Sequence, residues 1–194
     1  MLAVATKNYA VKAYRMPTDI PEFGSTQEAW KPEQFQSFRL VGTLALELCF
    51  DPSSRYIAAG TSDSQLKVWD LSKGFQTHNF LGHRGVIVKL AFLPQEGSLR
   101  VVSAAEDMLV KVWDLVLNAE VATLKASKDG GRATCFAFSK DFKTMMVGSR
   151  DGSIAFFNTQ KEFKLIHRVK CGTALGFASD EEEINSVVYL NFGS

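Results

Sequence analysis

A fixed period of 44 residues constrains this chain more than any other feature of its sequence. Asp63, Asp107 and Asp151 are separated by that interval, and Trp69, Trp113 and Phe157 follow them with the same spacing. Self-similarity at this length marks a chain built from copies of one supersecondary unit, each burying its apolar surface against the next. The copy at residues 101–115, VVSAAEDMLVKVWDL, contains two apolar, alternating runs around an acidic turn at Glu106-Asp107. Such runs read as strands and the polar pair between them as a tight turn. This copy ends in Trp113-Asp114, and Gly82-His83 lies 30 residues before its tryptophan.

A Gly-His pair, two strand segments and a Trp-Asp pair form the pattern of WD-repeat proteins, and the chain resembles that family. The resemblance implies an all-β propeller of four-stranded antiparallel blades. Residues 1–40 are expected to form a partial blade: second strand, third strand, a long Pro-containing loop and an outer strand. Complete blades are expected over 41–80, 81–124 and 125–168, and the start of a further, truncated blade over 169–194. About four blades are thus present, as part of a seven-bladed ring. Setting Asn8 on Asp63 brings Tyr14 to the position of Trp69, so the chain enters its first blade after the innermost strand, as a truncated product or fragment would. Residues 172–178 and 184–190 read as the first two strands of the last blade. In an alternative arrangement, 172–178 fills the first blade's missing strand and closes a four-bladed ring. The inner run LALELCF is expected to be covered on both faces, and Trp30 to pack against the first blade.

The resemblance also assigns a structural tetrad to His83, Ser103, Asp107 and Trp113: His83 bonds Ser103 and Asp107, and Ser103 reaches the indole N–H. Partial tetrads remain at Asp63 with Trp69 and at Asp151. Gly42-Thr43 replaces Gly-His, Ala59 and Val147 replace the serine, and Phe157-Asn158 replaces Trp-Asp, so those blades are expected to lean on apolar packing. A His-Ser-Asp set also suggests hydrolysis, but no oxyanion element accompanies it and the resemblance explains every member structurally.

Other chemistry is thinly represented. The sequence has no Gly-x-x-x-x-Gly-Lys loop, His-Glu-x-x-His, Cys-x-x-Cys or Gly-x-Ser-x-Gly elbow, so no catalytic, cofactor-binding or metal residue is assigned and no enzyme is expected. A net charge of +1 argues against a protein that holds nucleic acid mainly by charge. No apolar run reaches the roughly 18 residues of a membrane-spanning helix. The odd number of cysteines, Cys49, Cys135 and Cys171, reads as buried thiols of a reducing compartment. His78 and His167 fall on outer strands, where a metal role is not expected.

Binding residues tend to lie on loops held by a rigid scaffold. The residues before each turn aspartate, Ser62, Glu106 and Arg150, together with Arg84, form the candidate partner-binding face. Within the WD-repeat family the chain is similar to tandem-propeller subunits of the small-subunit processome. That similarity rests on LCFDPSSRYIAAGTSDSQLKVWDL, THNFLGHRGVIVKLAF, and VKVWDL followed by KLIHRV, with Thr77-His78-x-Phe80-x-Gly82-His83 the most distinctive piece. It implies a non-catalytic protein–protein scaffold in 18S pre-rRNA processing and ribosome biogenesis, nucleolar or nuclear. Its partners would be other WD-repeat processome subunits, with RNA held indirectly, no membrane and no small-molecule substrate. A WD-repeat substrate receptor or adaptor of a ubiquitin ligase or signalling complex in the cytoplasm stays open, although no ligase-docking segment is legible.

Overall fold

The computed structural model describes residues 1–16, 32–95, 97–171 and 184–187. Among them, fifteen strands form one three-stranded and three four-stranded antiparallel sheets, each ordered as in the sequence. The first sheet contains β1 (Leu2–Thr6), β2 (Ala10–Arg15) and β3 (Glu33–Arg39). The second contains β4 (Ala45–Phe50), β5 (Tyr56–Thr61), β6 (Leu66–Asp70) and β7 (Phe75–Phe80). The third contains β8 (Ile87–Phe92), β9 (Arg100–Ala105), β10 (Val110–Asp114) and β11 (Ala119–Leu124). The fourth contains β12 (Ala133–Phe138), β13 (Thr144–Ser149), β14 (Ser153–Asn158) and β15 (Lys164–Lys170).

The sequence period reappears in the backbone. Each turn joining a sheet's second and third strands (in the first sheet, β1 and β2) carries one residue with positive φ: Tyr9 (57°), Ser64 (65°), Met108 (65°) and Gly152 (77°). The turns leading into β7, β11 and β15 repeat the device at Gly74, Asn118 and Glu162. Ladder irregularities recur as well, directly before Tyr14, Trp69, Trp113 and Phe157. Bulges at equivalent points add twist to each sheet at the same place.

Alternation sends successive side chains to opposite faces of a strand, and the core is divided accordingly. On β5, Ile57 and Ala59 join Val11, Phe38 and Trp69 between the first and second sheets, while Ala58 turns the other way to meet Phe80, Leu90 and Trp113. On β9, Val101 belongs to that second cluster, and Val102 and Ala104 to a third with Leu124, Met145 and Phe157. The middle sheets therefore bury both faces, each against a different neighbour.

Several expectations need correction. The inner run LALELCF is covered less completely than expected. Cys49 packs toward the second cluster, and Ala45, Leu48 and Phe50 toward the one between the first and second sheets. Yet β4 is only half-buried and Leu46 is 50% exposed, whereas β5, β9 and β13 are buried along nearly their whole length. An innermost strand has a hydrogen-bonded partner on one side only, so its edge stays open. Across that open region Lys89 of β8 pairs with Glu47 of β4 at 2.9 Å. The cysteines are half-buried free thiols; burial pushes Cys49 up to about 12. Glu162 and Phe163 lie in a turn with φ of 48° and 54°, and the KLIHRV strand, β15, begins at Lys164. Residues 184–187 form no strand; the Ile184 carbonyl accepts a bond from the Thr134 hydroxyl of β12. The readings placed on Trp30, 172–178 and 188–190 lie outside the described residues.

Candidate interaction face

The third sheet holds the complete set of polar motif residues. His83 Nδ1 lies 2.8 Å from Asp107 Oδ2, His83 Nε2 is 2.8 Å from Ser103 Oγ, and Trp113 Nε1 donates to the same oxygen at 2.7 Å. The indole occupies one lone pair of Ser103, leaving its own hydrogen for His83 Nε2. The network therefore assigns the imidazole proton to Nδ1, facing Asp107. Burial holds His83 below its ordinary value, although Asp107 pulls in the opposite direction. For Asp107 burial acts upward, yet bonds from the Arg84 N–H, His83 and the Leu109 N–H together keep its carboxyl below the usual range. Ser103 is fully buried and engaged on both sides, which leaves no approach for an electrophile. The arrangement ties a loop, two strands and a turn into one unit.

The distinctive run before this sheet serves the same tryptophan. Phe80, at the end of β7, stacks on Trp113 with ring centroids 5.2 Å apart. His78 stacks on Phe80 and its Nε2 lies 2.9 Å from the Leu115 carbonyl oxygen, just past Trp113-Asp114. A Cβ on Gly82 would approach the Trp113 ring to 3.0 Å, which accounts for glycine beside the histidine. One sheet earlier, Phe38 stacks on Trp69 at 5.5 Å and Gln36 donates to the Leu71 carbonyl. Leu124 occupies the corresponding site against Phe157. An outer-strand side chain thus locks the third strand of the following sheet; sequence reading missed this series because the contact joins separate copies.

The incomplete copies keep their aspartates by another route. In the second sheet the Thr61 hydroxyl bonds Asp63, Lys67 pairs with it at 3.9 Å, and Thr43 Oγ1 lies 3.1 Å from Ser62 Oγ. In the fourth, the hydroxyls of Ser127 and Ser153 bond Asp151. Burial raises Asp151, but these hydroxyls hold it below the usual carboxylate range. Ser127 lies one period after His83 and its reach to Asp151 was missed, since a hydroxyl in place of an imidazole matches no motif. A Cβ on Gly131 would lie 2.5 Å from both the Asp151 and Ser149 side-chain oxygens, so a larger residue there would displace them. These hydroxyl bonds stand beside the apolar packing of Trp69 and Phe157 on which the incomplete copies are expected to lean.

At the loop end of the sheets, Ser62, Arg84, Glu106 and Arg150 are all exposed. The backbone N–H groups of Ser62, Glu106 and Arg150 donate to Leu44, Val86 and Arg132 carbonyls at 2.9, 3.0 and 2.9 Å, so equivalent bonds anchor three equivalent loops. Their side chains differ in use. The Ser62 hydroxyl accepts the Leu44 N–H, whereas Glu106 faces Arg132 at 3.5 Å, within the same face. No group of three or more His, Cys, Asp or Glu side chains suited to a metal ion occurs among the described residues.

The WD40 family profile, described as WD domain, G-beta repeat, matches residues 41–70, 74–114 and 118–158, more than half of the chain. The chain belongs to the WD40 family. The chain is similar to transducin beta-like protein 3 from Bos taurus, at 34% identity over 128 residues, 66% of this chain and 15% of that protein. The periodic tryptophan protein 2 homolog of Dictyostelium discoideum is 34% identical over 114 residues, 58% of this chain and 12% of the relative. The U3 small nucleolar RNA-associated protein 15 of Schizosaccharomyces pombe is 23% identical over 176 residues, 70% of this chain and 35% of the relative. This WD40 chain therefore spans between 12% and 35% of the length of these three relatives.

Proposed function

We propose that this chain is a non-catalytic protein-docking scaffold acting in small-subunit pre-rRNA processing, in the nucleolus. The observation that carries the reading is similarity to transducin beta-like protein 3, joined by similarity to a protein named for its association with U3 small nucleolar RNA. The His83, Ser103, Asp107 and Trp113 network serves to hold loops in place, and the loops serve to bind. Ser62, Arg84, Glu106 and Arg150 form the docking face, toward other WD-repeat subunits of the particle. RNA is held through those proteins, consistent with a net charge of only +1. In the intact protein these sheets belong to a seven-bladed ring, with 1–40 and 169–194 supplying parts of further blades.

Affinity purification of the tagged chain from nuclear extract tests this reading. Co-purification of processome proteins together with U3 small nucleolar RNA is the expected result, with the RNA lost when the protein partners are stripped by salt. Recovery of ubiquitin-ligase subunits without processome proteins would overturn it in favour of a substrate receptor.

A further inference from the structure

We propose that the groove between the third and fourth sheets, on the face bearing the aspartate turns, binds an acidic peptide segment anchored by one apolar side chain. The inference rests on the docking-face reading above and specifies the chemistry of the partner.

The groove encloses about 440 Å³, and its rim carries Arg84, Lys125 and Lys128. All three are exposed, and none is paired with a carboxylate among the described residues. Most other basic side chains near this face are already committed: Lys111 reaches Glu120 at 2.8 Å and Arg132 reaches Glu106 at 3.5 Å. The carboxylate in the groove wall, Asp107, is turned toward His83 and the N–H groups of Arg84 and Leu109. It makes no ion pair with any of the three cations.

The apolar part of the groove is Met108 and Leu109. Met108 has a φ of 65° and is 51% exposed. The equivalent turns of the other sheets carry Tyr9, Ser64 and Gly152 at this left-handed position, so here the repeat presents a thioether to the groove. An exposed thioether beside three unpaired cations is suited to an apolar side chain flanked by carboxylates, since methionine adapts its shape to what it meets. Single-stranded RNA is less well matched. Such sites pair a basic track with aromatic platforms, and the described residues lining this groove include no aromatic side chain.

The test uses the full chain and a fluorescein-labelled twelve-residue peptide of Asp and Glu around one central Leu, titrated by anisotropy beside a twelve-nucleotide single-stranded RNA. Saturable peptide binding is expected, weakened about tenfold or more by K125E/K128E. Replacing the central Leu with Ser, or Met108 with Ser, should weaken it about threefold or more. These side chains are exposed, so the melting temperatures of K125E/K128E and the milder K125A/K128A should match the parent within about 2 °C. Peptide affinity unchanged within twofold in both lysine variants would overturn the proposal. So would RNA binding more tightly than the peptide through the same lysines, which would reassign the groove to phosphate. Affinity purification with K125E/K128E separates this inference from the reading beneath it. Partners retained there but lost on changing Glu106 and Arg150 would defeat the groove and leave the docking face standing. Peptide binding with no processome protein recovered would do the reverse.

Discussion

Both ring nitrogens of His83 are committed within a buried site, so removing either partner strands a polar atom that water does not reach. Asp107→Ala orphans the His83 Nδ1–H and the Leu109 N–H and should cost about 2–4 kcal/mol. For a chain of this size that lowers the melting temperature by about 5–12 °C. Asp63→Ala, which loses a hydroxyl bond and a 3.9 Å ion pair at a more open site, should cost about 1 kcal/mol or less. Equal losses in thermal melts of the two variants would contradict the unequal roles given to them. The network also sets a pH dependence. Folded His83 is held below its ordinary value of 6.5, so below that pH the unfolded chain binds a proton that the folded chain refuses. Its contribution is complete above 6.5 and declines as pH falls toward the folded value. A second decline, from Asp107 and Asp151, follows as pH drops through the ordinary carboxylate value of 3.8. Denaturant titrations between pH 7 and 5 should show a shallower slope for His83→Gln than for the parent chain.

The four-residue set was legible in the sequence because each member matches a motif position. Ser127 and Thr43 were not, because a hydroxyl satisfies the same aspartate turn without resembling an imidazole.

Among the elements, strands and turns were read from alternation and from the 44-residue period, and the structure adds what period alone does not carry. Which strand is most covered depends on its place in the sheet: β5 and β9 have paired strands on both sides and neighbours on both faces, while β4 has an open edge. The locks between sheets were also invisible, since Phe38, Phe80 and Leu124 belong to one copy and act on the next. Phe80→Ala removes a ring stacked on Trp113 and should cost about 3–4 kcal/mol through the cavity it opens. Phe75 sits on the same strand but is 53% exposed, and Phe75→Ala should stay within about 0.5 kcal/mol. Chemical denaturation of the pair checks the assignment; a Phe80 variant as stable as the Phe75 variant would mean that the outer strand does not lock its neighbour.

At the scale of the molecule, the apolar clusters of the described residues lie between sheets rather than within them, so the sheets support one another in series. The repeat fixes Ser62, Glu106 and Arg150, the residues of the proposed docking face, through the same backbone bond in three successive loops. The direct measurement of the central claim is site-specific photocrosslinking in nuclear extract, with the crosslinking residue placed at 62, 106 or 150 and, as controls, at exposed Phe75 and Leu165 on the outer strands. Crosslinks from the three loop positions to a defined set of processome proteins, with little from the outer strands, are the predicted result. Crosslinks to those proteins from 75 and 165 alone would mean that the chain docks by its outer strands, and would contradict the account.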